Sequence, residues 1–314
     1  DMRNMKLPAV FAAMILMAVG AKSSNVTVTD TEKSADTVKV VKPSCWKTTS
    51  APTVRFSQYY YDNWAKDGYT QVALTLGYIG TLTYTQPNYI WDSRLDLAFG
   101  FLKIDMNADK IFDDSQYLRK SDDKIDFTST FSLKMKNNWN CNASVNLKSQ
   151  FYDSYKFYAD PLQEPTLISA LFAPAYMLTS LGFEYKKEYW NASFSFITGK
   201  NTFVLDNRIN PADYGVLEGR SYMGWGSYLR FYFKKDIFKN INFYTRVEFF
   251  WEYQKELFTQ TDVNWETTLE FKVNSWLSAF ASLNLIYDAD YSLKRQLYQL
   301  SGIQLNLDWN RKKK

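Results

Sequence analysis

From about residue 54 to residue 309, apolar and polar residues take turns one by one, and no other feature restricts the fold as much. Successive side chains of an extended chain point to opposite faces, so strict alternation makes strands with one greasy and one wet face. In the stretch 263–273, Val263, Trp265, Leu269, Phe271 and Val273 share one face with Thr267, while Asn264, Glu266, Thr268, Glu270 and Lys272 share the other. The stretch 303–309 sets Ile303, Leu305, Leu307 and Trp309 against Gln304, Asn306 and Asp308. The same split runs through 125–136, 141–152 and 241–254.

A soluble sandwich alternates too, with its apolar face turned inward. Three features point to a membrane barrel instead. Several strands, such as 89–105 and 139–157, exceed the usual length of about 5–6 residues in globular sheets. Aromatics gather near strand ends, as at Tyr89 and Trp91, Trp139, Trp190, Trp225, Trp251 and Trp276, where membrane barrels carry their interfacial girdles. Connections alternate between short ones, as at Gln86-Pro87-Asn88 and Asn137-Asn138, and long ones at about 106–123, 159–174, 202–218 and 288–298. Short periplasmic turns facing longer outer loops are the habit of such barrels.

The pattern predicts twelve strands, at about 54–61, 69–84, 89–105, 124–137, 139–157, 175–188, 189–203, 221–236, 241–255, 262–273, 276–288 and 299–309. The expected fold is an all-β, transmembrane, antiparallel up-and-down β-barrel in the outer membrane, with the lipid bilayer as its first partner. An even strand count puts both termini in the periplasm.

The flanks fit that placement. Arg3 and Lys6 precede an apolar run over residues 7–19, and Val19-Gly20-Ala21 is a small-residue cleavage site, so residues 1–21 read as a signal peptide. Residues 22–53 are polar and aperiodic and read as a flexible periplasmic segment. Residues 54–309 make the barrel and residues 310–314 a solvated basic tail. Cys45 and Cys141 are read as unpaired.

Composition removes whole classes of function. There is no His among 314 residues, which excludes His-based nucleophile triads, His general bases and His-ligated metals. A net charge of +4 is too even for nucleic-acid binding by composition. The segment Asp105 to Asp109 opens like a calcium loop, but Lys110 and Gln116 stand where Gly and Glu are required. Adjacent acids at Asp113-Asp114 and Asp122-Asp123 could in principle act as acid and base, but read as solvated loop. No cofactor or metal is expected.

The chain resembles an uncharacterised family of outer-membrane β-barrels, a domain of unknown function typical of Bacteroides-type Gram-negative bacteria. The resemblance is carried by Phe56-Ser57-Gln58, Asn63-Trp64-Ala65, Trp91-Asp92-Ser93-Arg94-Leu95-Asp96-Leu97, Lys120-Ser121-Asp122-Asp123-Lys124, Phe172-Ala173-Pro174-Ala175-Tyr176, Val263-Asn264-Trp265-Glu266 and Ile286-Tyr287-Asp288. Lys66-Asp67-Gly68 departs from a glycine-rich stretch of the family, and the basic tail extends beyond the usual aromatic end. The resemblance implies location and architecture and no catalytic residues.

With the apolar faces toward lipid, charged residues on the polar faces should line the lumen. The candidates are Asp92, Arg94 and Asp96 on one strand, Arg230 on another, Arg246, Glu248 and Glu252 on a third, and Glu266 and Glu270 on a fourth. At the midplane a lipid-facing charge would cost about 2–4 kcal/mol. These residues make either a selective polar pore or an internal ion-pair network, and their bulk favours a mostly filled lumen. Leu167, Ile168, Leu171 and Phe172, between Pro165 and Pro174, fit one face of a short helix that would plug the mouth or rest on a partner. The expected role is a non-enzymatic outer-membrane barrel, a structural or transport component, with an accessory role in a larger outer-membrane complex as one form of it. A porin-like passive channel for small solutes or ions and an adhesin-like surface barrel are the alternatives.

Overall fold

The computed structural model describes residues 45–59, 71–104, 119–156, 164–257, 260–288 and 292–307. The expected signal peptide, most of the N-terminal segment, the calcium-like stretch, Asp113-Asp114 and the basic tail lie outside the described residues.

The strands are β1 (Trp46–Tyr59), β2 (Gln71–Thr85), β3 (Tyr89–Ile104), β4 (Arg119–Lys134), β5 (Trp139–Ser149), β6 (Ser154–Lys156), β7 (Thr166–Ser169), β8 (Ala175–Lys186), β9 (Trp190–Phe203), β10 (Ser221–Phe238), β11 (Ile241–Glu252), β12 (Asp262–Lys272), β13 (Leu277–Asp288) and β14 (Ser292–Asn306). Twelve of them close one antiparallel barrel in the order β1-β14-β13-β12-β11-β10-β9-β8-β5-β4-β3-β2, while β6 and β7 form a separate two-stranded sheet. Closure comes where Thr53 to Phe56 of β1 pair with Asn306 to Ile303 of β14. A closed sheet leaves no edge, the condition for carrying β-structure through hydrocarbon.

Alternation decides which side chains face out. Along β11, Arg246, Glu248, Phe250 and Glu252 are buried while the residues between them are half-buried or exposed. Leu181, Phe194, Ile197 and Trp225 stand on the outside, Phe194 with 49% of its surface exposed. In water such a surface would be a large aggregation site; in a bilayer it is the lipid contact, so this is an outer-membrane barrel. Aromatic rings chain together at the end with the short turns: Trp46 to Tyr84 at 4.6 Å, Tyr84 to Tyr89 at 6.0 Å and Tyr89 to Phe131 at 5.4 Å. Trp139, Tyr185, Trp190 and Phe231 continue the series at 5.2, 5.5 and 6.1 Å. The turn at Asn137 and Asn138 has φ of 59° and 67°, a left-handed pair that Asn tolerates and that matches the twist of a tight hairpin.

Four boundaries differ from those expected. The first strand starts at Trp46, inside the segment read as flexible, because its backbone follows β2 from Trp46–Tyr84 onward and Thr49 meets Thr81 across the ladder. Pro52, which has no N–H, sits where the β1–β14 ladder ends and accepts from the Leu307 N–H at 3.0 Å. The fourth strand starts at Arg119, its first residues pairing with Leu102 and Phe101 past a register shift. β14 starts at Ser292, which pairs with Asp288, so most of the long connection expected over 288–298 is strand. β5 ends at Ser149, because Phe151 and Tyr152 pack against Leu97 and Phe99 and donate their N–H groups to the Asp123 carboxylate.

Candidate functional site

The polar faces meet inside the barrel, and their charges pair across it. Arg246, near the middle of β11, reaches Asp126 of β4 at 3.3 Å and Glu266 of β12 at 3.0 Å. Going round the wall from β11 to β4 passes four strands one way and six the other, so the Arg246–Asp126 bridge spans the lumen. Lys148 of β5 crosses to Glu248 of β11 at 2.9 Å, and Glu248 also accepts from Tyr228 at 2.7 Å and from the Asn264 amide at 3.0 Å. Asn146 donates to Asp126 at 2.6 Å. Asp126 and Arg246 keep only 3% and 9% of their surface exposed. A desolvated charge is tolerated where a counter-charge and further hydrogen bonds satisfy it, and this layer supplies both.

The ion-pair layer stands between two cavities. The inner one, of 480 Å³, is lined by Arg94, Asp96, Lys124, Glu266 and Glu270 along with Arg55 and Phe280. Lys124 and Arg94 both hold Asp96, at 3.0 and 3.4 Å, and Arg55 lies over the Phe280 ring at 5.0 Å. The outer one, of 410 Å³, lies at the end of the long loops and is lined by Lys148, Glu248, Tyr176, Lys200, Phe250 and Asp262, among others.

Loop residues such as Pro174 and Tyr214 line part of the outer cavity. Ala170, Ala173, Val204, Ile209 and Val216 are buried together, with Leu167, Tyr214 and Tyr222 packed against them. Arg220 donates to the carbonyls of Val204 and Asp206 at 2.8 Å each and of Ile209 at 3.4 Å. A 3-10 turn, Pro211–Tyr214, is capped by Asn210 and ends at Gly215 with φ 75°. On the outer surface Arg208 clasps Asp206 at 2.7 Å and Asp153 at 2.9 Å. Hydrogen bonds from the Arg208 side chain and backbone bring the Asp206 carboxyl down to about 2.

The structure places the sequence candidates as follows. Arg94, Asp96, Glu266 and Glu270 line the inner cavity and Glu248 the outer. Arg246 sits in the dividing layer, and Arg230 lies 3.9 Å from Glu184. Glu252 accepts from the Tyr222 hydroxyl and pairs with Lys255 at 2.8 Å. Asp92 lies 3.7 Å from Lys186 of β8, toward the short-turn end. The helix expected around Leu167, Ile168, Leu171 and Phe172 is not formed. Thr166–Ser169 is instead strand β7, paired with β6, because four residues with only Leu167 and Ile168 apolar are too few to fix a period and the partner strand decides. Leu167 packs into the loop core, Ile168 reaches the outer cavity, and Leu171 and Phe172 are exposed. Asp122 and Asp123 do not act together: Asp122 lines the inner cavity while Asp123 binds the loop after β5. Both cysteines are free thiols.

Sequence reasoning does not single out Lys124, Asp126, Lys200, Asp262 or Asp288 as a site. Lys124 and Asp126 do sit on an alternating polar face, a usable signal. Lys200 pairs with Asp262 and Asp288 across separations of 62 and 88 residues, which no local pattern reveals.

A protein family of unknown function (DUF3078) matches residues 56–155, from the end of β1 to β6. A search of curated proteins returns no match. Among solved structures, an outer membrane channel from Pseudomonas putida F1 is similar at 11% identity and TM-score 0.37, covering 87% of this chain and 97% of its own. Outer membrane phospholipase A from Escherichia coli shares 13% identity at TM-score 0.34, covering 82% of this chain and 92% of its own. The translocator domain of the autotransporter NalP from Neisseria meningitidis shares 9% at TM-score 0.32, covering 95% and 96%. The barrel assignment rests on the closed ladder of this chain and not on these likenesses.

Proposed function

We propose that this chain is a non-enzymatic transport component of the outer membrane whose lumen is shut at rest by its own ion pairs. The observation that carries this is the pair of cross-lumen bridges, Arg246–Asp126 and Lys148–Glu248, standing between two cavities. A lumen filled for stability alone gains most from close packing. Here cavities of 410 and 480 Å³ flank one polar layer whose opening would join them. The lack of His and the separation of Asp122 from Asp123 support a non-enzymatic role. A leader over residues 1–21 and an origin in a Bacteroides-type bacterium belong to the same proposal, supported by the basic-apolar-small pattern and the family resemblance.

Planar-bilayer recording tests it. The native chain should pass little current, and the double variant Arg246→Ala, Lys148→Ala should give discrete, several-fold larger steps. Ion-tight bilayers with both proteins would leave only a structural role. An accessory role in a larger complex has its own support: Leu205 and Leu217 on the outer loops are 58% and 86% exposed, a cost that a partner would relieve. Purification in mild detergent should then recover a stoichiometric second protein, and a lone barrel would count against it.

A further inference from the structure

Inside the outer cavity the Lys200 ammonium stands 2.5 Å from the Asp262 carboxylate and 3.4 Å from that of Asp288. The ring centroids of Tyr176 and Phe250 lie 5.6 and 5.8 Å from the same nitrogen. Carboxylates and aromatic faces around one cation are how proteins hold organic ammonium groups, since the ring faces carry negative charge. Here the chain provides the cation itself, on a flexible four-carbon stem.

The rest of the cavity suits an incoming cation. Its charged lining residues, Lys148 and Lys200 against Glu248, Asp262 and Asp288, leave an excess of one negative charge. Apolar side chains such as Leu178 and Ile286 fill out the wall. Its 410 Å³ falls within the range of about 300–1,000 Å³ typical of small-molecule pockets.

We propose that the outer cavity is a binding site for a small organic cation, a protonated amine on an apolar or aromatic body. Its ammonium takes the place of the Lys200 ammonium between Asp262, Asp288, Tyr176 and Phe250, while its body lies on the apolar wall. Lys200 swings aside as the guest enters, so the lysine acts as a tethered competitor that keeps the empty site electrically satisfied. The assignment rests on the transport reading only for the onward passage of the bound cation; occupancy itself does not require the ion-pair layer to open.

Equilibrium dialysis of the full barrel in zwitterionic detergent tests it with phenethylammonium, and with 2-phenylethanol and phenylacetate as neutral and anionic counterparts of similar shape. Phenethylammonium should be retained about tenfold more strongly than either, the scale of one desolvated charge contact. Asp288→Asn should weaken its retention by about tenfold, and Lys200→Met, which removes the competitor, should strengthen it by a similar factor. Asp288→Asn keeps the test sound if Lys200→Met does not fold. Equal retention of the three probes, a preference for phenylacetate, or retention unchanged in Asp288→Asn overturns the proposal. Retention of phenethylammonium alongside ion-tight bilayers from the Arg246 and Lys148 double variant would sink the transport reading and leave this site standing.

Discussion

Arg246 shows how much a single side chain can decide inside this barrel. It neutralises Asp126 and Glu266, and Glu248 lies 3.8 Å from its Nε. Removing one partner of a buried pair strands the others, at a cost of about 3–5 kcal/mol. Arg246→Ala should therefore lower the unfolding free energy by that amount in urea titrations of the vesicle-inserted barrel. Exposed Lys272, 3.2 Å from Asp236, should give a change of under about 1 kcal/mol when replaced by Ala. Asp206 supplies a pH prediction. Its folded value is lowered to about 2 by Arg208, so the stabilisation is fully present above the ordinary carboxylate value and is lost as pH falls toward 2. Carbon-13 titration of this carboxyl should show a midpoint near 2, and a midpoint near an ordinary aspartate value of about 3.9 would remove the Arg208 clasp from the account.

At the scale of elements, the outer loops divide into parts with different holdfasts. The segment 204–209 is tied by Arg220, which donates to three carbonyls, alongside buried Val204 and Ile209 and the Arg208–Asp153 clasp. Arg220→Ala should make 204–220 susceptible to protease added outside intact vesicles while the barrel transition moves little. Equal protection of this loop in both proteins would contradict that role. Strand β7 covers part of the outer cavity, so deleting 162–173 should raise conductance in the Arg246→Ala, Lys148→Ala background. Elements were legible in the sequence wherever one face is uniformly apolar over many residues, as in β11 and β12, and wherever a turn needs special backbone, as at Asn137-Asn138. They were less legible where pairing rather than pattern decides. Trp46 to Ala51 has no uniformly apolar face, with Lys47, Thr48, Thr49 and Ser50 between its ends, and becomes a strand because β2 offers it a ladder. Thr166 to Ser169 is too short to carry a period, and β6 makes it a strand.

For the whole molecule, alternation placed the charges on the inner face but could not say which would meet. Arg246 and Glu266 are register partners on neighbouring strands and could be read from order alone. Arg246 with Asp126, and Lys200 with Asp262 and Asp288, meet only because the sheet closes and its curvature brings distant walls within side-chain reach. The same closure makes the apolar exterior and the polar interior two consequences of one geometry. Everything proposed about the lumen depends on that phase. It can be read along β11 by placing a nitroxide label at each position from 241 to 252 in turn, in a Cys45→Ser, Cys141→Ser background, and measuring collisions with oxygen and with a water-soluble nickel chelate in lipid vesicles. Labels at 243, 245, 247, 249 and 251 should be rich in oxygen collisions, and those at 244, 246, 248 and 250 should not. An opposite phase, or labels that alternate identically with the protein dissolved in plain buffer, would contradict the account.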